Sequence, residues 1–246
     1  MSKLQKIAEV VHECLPESHT SAVILAAGTS TRMGNQNKQF CILNGKPVLA
    51  HTLLAYEKCP LIREIIVVAR PCDFEKIAKI KKKYGITKLT DLVIGGETRQ
   101  ESARLGMEKL CPDARFVAIA DGARCLTTPA QITKVCLCAY RQMAACAAHK
   151  VTDTLKRATV LGNVLESVDR ENLWQMQTPQ VFHTALYQAA LVKAKDENIT
   201  VTDDASLIQV LGYRVHLVEC GLGNIKITVP EDLNMAKAIL DYRTKK

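Results

Sequence analysis

The sequence predicts an α/β fold in which a mostly parallel, twisted sheet is flanked by helices. Short apolar runs rich in valine and isoleucine alternate with longer amphipathic segments, and this order is typical of βαβ units. The chain has 246 residues, of which 48% are hydrophobic, and this length is enough to bury the core of one such domain. We therefore expect a helical extension over 1–20 followed by one domain over 21–246.

The predicted elements follow one another along the chain. The first 20 residues place apolar side chains on one side of a helix that stops near Pro16. The apolar runs predict strands at 22–25, 62–69, 89–94, 116–120 and 213–218. The amphipathic segments, several of which open with a proline, predict helices near 47–58, 73–84, 99–110, 129–146, 183–196, 203–211 and 230–242.

The region from about 147 to 175 interrupts this alternation. It is polar, carries β-favouring residues at intervals and has a turn signal at Gly162-Asn163. These features predict a two-stranded arm, which is marginal in isolation and needs a surface to lie on. From the residues alone, a plain surface hairpin is the preferred interpretation.

Composition excludes several classes of protein. The net charge of +8 suggests nucleic-acid binding, but only 4% of the residues are aromatic and no known binding module is present. No apolar run approaches the roughly 20 residues of a membrane helix. The ten cysteines are scattered, no secretory signal precedes them, and Cys136-x-Cys138 lacks a second metal-binding pair. We expect a cytoplasmic protein with reduced thiols that binds neither nucleic acid nor membrane.

The most informative segment is AVILAAGTSTRMGNQNK, residues 22–38. A buried strand stops at Gly28, small and hydroxyl residues follow, and Arg32 and Lys38 then supply two cations. This order predicts a backbone-lined loop that cradles phosphates. A strand-to-helix loop with two solvated basic side chains explains the same residues equally well. The loop is neither a P-loop nor a dinucleotide fingerprint.

Two further segments point to the same place. In open sheets of this Rossmann-like kind, ligands bind beyond the carboxyl ends of the strands. The Gly28 loop, the Gly95-Gly96 turn and Asp121 each follow a predicted strand, so we expect them to meet in one crevice. Asp121 is a candidate ligand for Mg²⁺, which prefers one or two carboxylates with phosphate oxygens and water. A strand-end aspartate that caps a loop is the simpler alternative.

The 22–38 segment resembles the signature of the cytidylyltransferases that activate polyol phosphates. The resemblance is closest to the 2-C-methyl-D-erythritol 4-phosphate cytidylyltransferase family of the non-mevalonate isoprenoid pathway. Further motifs follow in the family's order from about residue 20 to about residue 240. They are Gly95–Ser102, Asp121–Arg124, Thr152–Lys156, Asp169-Arg170, Gln177–Gln180, Thr202–Ala205 and Asn224–Thr228.

The resemblance implies an enzyme that transfers CMP from CTP to 2-C-methyl-D-erythritol 4-phosphate. The products are 4-diphosphocytidyl-2-C-methyl-D-erythritol and pyrophosphate, and the reaction serves isoprenoid precursor biosynthesis. It also implies Mg²⁺ bound with CTP through Asp121. The family forms homodimers, in which the arm hooks the second subunit and contributes to that subunit's active site.

The resemblance also assigns roles to single residues. The residues that would stabilise the reacting phosphates and position the incoming phosphate are Arg32, Lys38, Arg170 and Lys226. The nucleotide-binding residues would be Ala26, Ala27, Gly28, Gly96, Glu97, Ser102, Asp121 and Gly122. The acceptor-binding residues would be Arg124, Thr154, Thr178 and Thr202. Lys226 also has a simpler interpretation, on the exposed face of a strand over 225–229.

The chain departs from the family pattern at three positions. Glu97 stands where an aspartate is common, Cys125 replaces a proline, and Gly223 replaces an acidic residue. Two alternatives therefore stay open, a ribitol 5-phosphate cytidylyltransferase and a nucleotide-binding regulator without catalysis. The cations of the phosphate sites are all present, and an inactive homologue would not need to keep them.

Overall fold

The computed structural model describes residues 19–34 and 36–245, so the predicted N-terminal helix over 1–20 lies almost entirely outside the described residues. A seven-stranded sheet forms the centre, with strand order β11-β7-β10-β6-β1-β4-β5. Its strands are β1 (Thr20–Leu25), β4 (Ile62–Ala69), β5 (Leu89–Ile94), β6 (Phe116–Asp121), β7 (Ala144–Lys150), β10 (Trp174–His183) and β11 (His216–Glu219).

The pairing within this sheet is mostly parallel, as the sequence predicts. Four pairs are parallel, namely β6-β1, β1-β4, β4-β5 and β7-β11. Only β10 runs antiparallel to its two neighbours, β6 and β7. A short hairpin of β2 (Ile42–Leu43) and β3 (Lys46–Pro47) lies outside the sheet.

Helices cover both faces of the sheet. They are α1 (Val48–Glu57), α2 (Phe74–Tyr84), α3 (Arg99–Met107), α4 (Pro129–Gln142), α5 (Thr184–Asp196), α6 (Asp204–Val210) and α7 (Glu231–Thr244). Ala22 and Ile24 of β1 pack with α1, α2 and α4, whereas Val23 packs with α3, α5 and α6. Strands buried on both faces read as continuous apolar runs, which is why β1, β4 and β6 are visible in the sequence. Among the described residues no helix is long and apolar enough to cross a membrane.

The helix predicted over 129–146 is wrong at its end. Helix α4 begins with a capping box at Thr128 and ends at Gln142, because Met143 adopts a left-handed conformation with φ of 68°. Residues 144–150 then form β7, whose first five side chains are buried between β10 and β11. Alanine favours helix intrinsically, but burial in the middle of the sheet outweighs that preference here.

Other boundaries also differ from the prediction. The strands β7 and β10 were not predicted, and the region predicted as an arm over 147–175 includes the ends of both. The strand predicted at 213–218 begins only at His216, and no strand forms over 225–229 in the described chain. The helix predicted at 99–110 ends at Met107.

The arm is a separate two-stranded sheet of β8 (Leu155–Ala158) and β9 (Val164–Val168). Its strands pair with each other and with no other described strand. Four apolar side chains at and near its tip are strongly exposed, namely Val160, Leu161, Val164 and Leu165. On soluble proteins, exposed apolar patches occur at contact sites for proteins, ligands or membranes.

Candidate functional site

A cavity of about 520 Å³ opens at the carboxyl ends of the parallel strands. We call it the strand-end cavity. It brings together the Gly28 loop, the Gly95-Gly96 turn and Asp121, as the order of strands predicts. Its lining residues are Leu25, Ala27, Gly28, Thr29, Lys38, Gln39, Arg70, Gly95, Gly96, Glu97, Thr98, Arg99, Ser102, Asp121, Ala123 and Lys226.

Small residues form the floor of this cavity because backbone segments approach each other closely there. A Cβ atom at Gly95 would lie 2.4 Å from the Cβ of Ala27 and 3.2 Å from the Ser102 hydroxyl. A Cβ atom at Gly122 would lie 3.2 Å from the Leu25 carbonyl oxygen. Larger side chains would push the Gly28 loop and the Gly95-Gly96 turn apart. Gly122 therefore lies behind the cavity wall and supports it, and Ala26, which is also buried, continues β1 below the loop.

Asp121 is the electrostatic centre of the site. Its carboxylate lies 2.9 Å from the Lys226 ammonium, 3.5 Å from the Arg99 guanidinium and 3.6 Å from that of Arg124. Burial opposes ionisation of Asp121, but these three cations outweigh it and hold the pKa below its usual value. The site therefore contains a fixed negative charge surrounded by positive ones.

Lys38 adds a half-buried cation to the lining of the cavity. The Lys38-Gln39-Phe40 turn begins at Asn37, whose side chain accepts a hydrogen bond from the Gln39 N–H group. Burial is the main reason that the pKa of Lys38 lies below its usual value, and the charge of Lys226 lowers it further. Arg32 is exposed and does not line the cavity, but its charge acts on Lys38.

Arg99 lines the cavity, although sequence reasoning did not select it. It follows the N-cap residue Thr98 of α3 and pairs with both Asp121 and the buried Asp204, at 2.6 Å from the latter. The Tyr187 hydroxyl donates a further hydrogen bond of 2.6 Å to Asp204. Arg99 lies in the Gly95–Ser102 motif and Asp204 in the Thr202–Ala205 motif. Nothing in the sequence shows that these two residues, 105 positions apart, form an ion pair.

Arg124 and Cys125 hold the wall of the cavity. The Arg124 guanidinium donates to the carbonyl oxygens of Asn224, at 2.7 Å, and Met176, at 3.3 Å, and does not line the cavity. Cys125 is buried in an apolar cluster with Met33 and other side chains. A buried thiol behaves as a small hydrophobic residue, so replacement of the family's proline keeps this packing.

Gly223 allows an arginine to approach the segment before Lys226. A Cβ atom there would lie 3.0 Å from a guanidinium nitrogen of Arg243. Arg243 donates to the carbonyl oxygens of Gly223, at 3.2 Å, and Leu126, at 2.6 Å. The segment that carries Lys226 is thus tied to the loop after β6 without forming a strand.

The structure does not bring all the predicted residues into this cavity. Thr154, Arg170 and Thr202 are exposed and do not line it, and the Arg170 guanidinium donates instead to the Thr152 carbonyl. Thr178 is buried, and its hydroxyl accepts a hydrogen bond of 3.1 Å from the N–H group of Asp121. Within one chain, Thr178 therefore supports Asp121, while the other three lie outside the cavity.

Comparison with known proteins adds independent information. The family model described as 2-C-methyl-D-erythritol 4-phosphate cytidylyltransferase matches residues 20–242. A relative of that name from Halalkalibacterium halodurans is 42% identical over 228 residues, covering 92% of this chain and 99% of the relative. Another, from a Synechococcus species, is 40% identical over 222 residues and covers 90% and 99%.

Solved structures agree with the sequence relatives. The 4-diphosphocytidyl-2C-methyl-D-erythritol synthase of Anaerococcus prevotii has a TM-score of 0.80 and 30% identity, covering 92% of this chain and 99% of its own. A 2-C-methyl-D-erythritol 4-phosphate cytidylyltransferase from Thermus thermophilus has a TM-score of 0.74 and the same identity, covering 89% and 98%.

The sheet, the cavity at its strand ends and these similarities together define an enzyme of the nucleotidyltransferase class, and within it a cytidylyltransferase. The match extends over nearly the full length of both this chain and its relatives. The chain belongs to the 2-C-methyl-D-erythritol 4-phosphate cytidylyltransferase family.

The lowered pKa of Lys38 predicts how activity depends on pH. Lys38 carries its charge below this pKa and loses it above, so kcat/KM for CTP should decline along an alkaline limb with its midpoint below 10.5. Arginine keeps its charge throughout this range. In a pH series of initial rates, the Lys38→Arg variant should therefore lack that limb. The same midpoint in both proteins would contradict the assignment.

Proposed function

We propose that this chain transfers CMP from CTP to 2-C-methyl-D-erythritol 4-phosphate, giving 4-diphosphocytidyl-2-C-methyl-D-erythritol and pyrophosphate in isoprenoid precursor biosynthesis. One observation carries this proposal. The Gly28 loop with Lys38, Asp121 and Lys226 come from three distant segments of the sequence, and they line one cavity in a chain about 40% identical to enzymes of that name.

The cytosine ring is proposed to lie against the turn at Gly96 and Glu97. The Gly96 N–H group donates to the Ser102 hydroxyl oxygen at 3.1 Å, and the Glu97 N–H group donates to the Glu101 carboxylate at 2.9 Å. Because the Ser102 oxygen already accepts a bond, its own proton remains available to an acceptor on the base. A pyrimidine with ring nitrogen and carbonyl acceptors provides that partner.

The triphosphate is proposed to lie over the backbone of Ala26, Ala27 and Gly28. A Cβ atom at Gly28 would meet nothing within 4 Å, so the loop presents open space there. An oxygen of the acceptor phosphate attacks the α-phosphorus of CTP, the new P–O bond forms, and the bond to the pyrophosphate oxygen breaks. Arg32 and Lys38 stabilise the negative charge at the α-phosphate during this exchange.

Lys226 is proposed to position the acceptor phosphate together with Arg170. Attack of one anion on another is opposed by repulsion until cations surround both. Lys226 is more than one third exposed and is held by Asp121 at 2.9 Å, so it reaches the cavity without being fully desolvated. The family pattern also assigns acceptor binding to Arg124 and Thr202. Arg124 is proposed to contribute indirectly, by supporting the cavity wall through its bonds to the Asn224 and Met176 carbonyls, and Thr202 from its exposed position outside the cavity.

Asp121 is proposed to hold a magnesium ion that binds with CTP. The donor type fits this ion, since Asp121 lines the cavity with a carboxylate, and magnesium takes its other ligands from phosphate and water. When bound, such an ion would neutralise charge on the phosphates. Gly122 and Thr178 fix the backbone of Asp121 and so its position.

The arm is proposed to complete the site of a second subunit in a homodimer. Its apolar tip is exposed, and Thr154 and Arg170 lie outside the cavity of their own chain. Both facts are explained if the arm crosses to a partner, where Arg170 binds the acceptor phosphate and Thr154 a hydroxyl of the polyol.

The nine described cysteines are free thiols, which supports a reducing compartment such as the cytoplasm.

A comparison of acceptors tests this proposal against ribitol 5-phosphate. Both acceptors carry a phosphate and a polyol, so Arg170 and Lys226 cannot distinguish them. A hydroxyl left without its partner can cost several powers of ten in specificity, whereas one misfitted methyl group is worth about 1–3 kcal/mol. We expect Thr154 and the adjacent arm residues to give a higher kcat/KM for methylerythritol phosphate. A higher value for ribitol 5-phosphate would favour the alternative.

A further inference from the structure

A cluster of three side chains that carry possible metal-ligand atoms lies at the opposite end of the sheet from the strand-end cavity. His19 immediately precedes β1, and Cys111 and Asp113 belong to the loop that leads into β6. Parallel strands begin at this edge and end at the cavity, so β1 and β6 separate the two places. None of these three residues takes part in the proposed reaction.

The three side chains face one another at distances that suit a common ligand. The His19 Nε2 atom lies 3.6 Å from the Asp113 Oδ2 atom and 3.9 Å from the Cys111 Sγ atom. All three donor atoms lie within 4.8 Å of one another. Zinc bonds of about 2.0–2.3 Å at tetrahedral angles place donor atoms roughly 3.4–3.6 Å apart. The observed separations therefore need only small side-chain shifts to reach that geometry.

Backbone hydrogen bonds fix the ligands in this arrangement. The Phe116 N–H group donates to the His19 carbonyl oxygen at 3.1 Å, which ties the start of β1 to β6. The Ala114 N–H group donates to the Cys111 carbonyl oxygen at 3.0 Å and closes a turn around Pro112. This turn places Cys111 and Asp113 on the same side of the loop.

Neighbouring polar groups support Cys111 from behind. The Glu64 carboxylate accepts from the Cys111 N–H group at 2.8 Å and from the Ser21 hydroxyl at 2.5 Å. The Cys111 sulfur lies 3.7 Å from the same hydroxyl. Outer contacts of this kind orient the ligands of metal sites. The surroundings are mainly acidic, with Arg63 as a nearby cation beside Asp113.

We propose that His19, Cys111 and Asp113 form a binding site for a divalent transition metal, for which Zn²⁺ is the best fit. Thiolate and imidazole ligands select zinc-like ions over magnesium, which prefers oxygen. Three protein ligands leave a fourth position for water. The Cys111 thiol gives its proton to solvent as the metal–sulfur bond forms. Asp113, with 72% of its side chain exposed, provides the entry from solvent, and His19 closes the buried side.

Cobalt titration of the metal-stripped full-length protein tests this site. Tetrahedral cobalt gives visible absorption bands, and a thiolate ligand adds a sulfur-to-cobalt charge-transfer band. We expect both to saturate at one cobalt per chain and to disappear when zinc is added. The Cys111→Ser variant should lose the charge-transfer band, and Asp113→Asn should weaken binding by about tenfold or more. The Cys72→Ser variant, which removes an exposed thiol elsewhere, should titrate like the wild type.

Two outcomes of the cobalt titration would overturn the proposal. Equal cobalt binding by the wild type, Cys111→Ser and Asp113→Asn would place the metal elsewhere. The absence of saturable binding in the wild type would leave only an ion pair between His19 and Asp113. Because the Asp113 side chain is largely exposed, Asp113→Asn should fold normally, which circular dichroism checks. Metal should also raise the Tm of the wild type and not that of Cys111→Ser.

Discussion

Replacing Lys38 with alanine is expected to lower kcat by about 100-fold or more and to change the free energy of unfolding by less than about 1 kcal/mol. The side chain lines the strand-end cavity, where the charges of Lys226 and Arg32 disfavour its ionised form and those of Asp121 and Asp232 favour it. Its removal therefore relieves some repulsion and loses some attraction in the free protein, while the reacting phosphates lose a fixed cation. The Lys38→Ala variant should therefore lose kcat while its free energy of unfolding stays close to that of the wild type.

Turnover at saturating CTP and methylerythritol phosphate, together with urea unfolding, measures this separation. Lys76→Ala is a matched control, because Lys76 is exposed and lies over the Phe40 ring, 5.1 Å from its centroid, beside the Lys38 turn but not in the cavity. The control should keep nearly full activity. Near-normal turnover of Lys38→Ala, or an equal loss in Lys76→Ala, would remove Lys38 from the reaction.

Mixing two inactive variants is expected to restore about one quarter of the wild-type activity if the site is shared between subunits. In a mixed dimer of Arg170→Ala and Lys38→Ala chains, one site combines an intact Lys38 with an intact Arg170 from the partner. The other site carries both substitutions. Random exchange makes half of all dimers mixed, and half of their sites are then active, so about 25% of the sites recover.

The matched control for this experiment is a mixture of Arg32→Ala and Lys38→Ala chains. At each site Arg32 and Lys38 come from the same chain. Every site of a mixed dimer therefore lacks one of the two residues, and no site is intact. Subunit exchange is checked with chains that carry different labels. No recovery despite exchange, or a wild-type enzyme that sediments as an active monomer, would show that Arg170 acts within its own chain or not at all.

The sequence predicts β1, β4 and β6 well, because these strands are buried on both faces and read as apolar runs. The antiparallel strand β10 and its neighbour β7 were missed for a different reason. The segment from Ala144 to Ala148 is rich in alanine and continues a helical pattern, and only its burial between two other strands makes it extended. That information is tertiary and has no local signal.

The site divides in the same way. A loop such as Gly28 to Lys38 is local in sequence, so its residue order alone predicts a phosphate-binding loop. The network around Asp121 joins Arg99, Lys226 and Asp204 from distant segments. The sequence does not indicate which of these residues form ion pairs with each other. Resemblance to the family supplied Lys226, but Arg99 emerged only from the structure.

Phosphorus NMR of the reaction distinguishes CMP transfer from the binding of CTP alone. The enzyme is incubated with CTP, magnesium and methylerythritol phosphate, and the spectrum is followed over time. We expect the acceptor's monophosphate signal to be replaced by two coupled diphosphate signals, with one pyrophosphate released for each acceptor consumed. Lys38→Ala should show neither change in the same period. Binding of CTP without new diphosphate signals in the wild type would show that the chain does not transfer CMP and would favour a nucleotide-binding regulator.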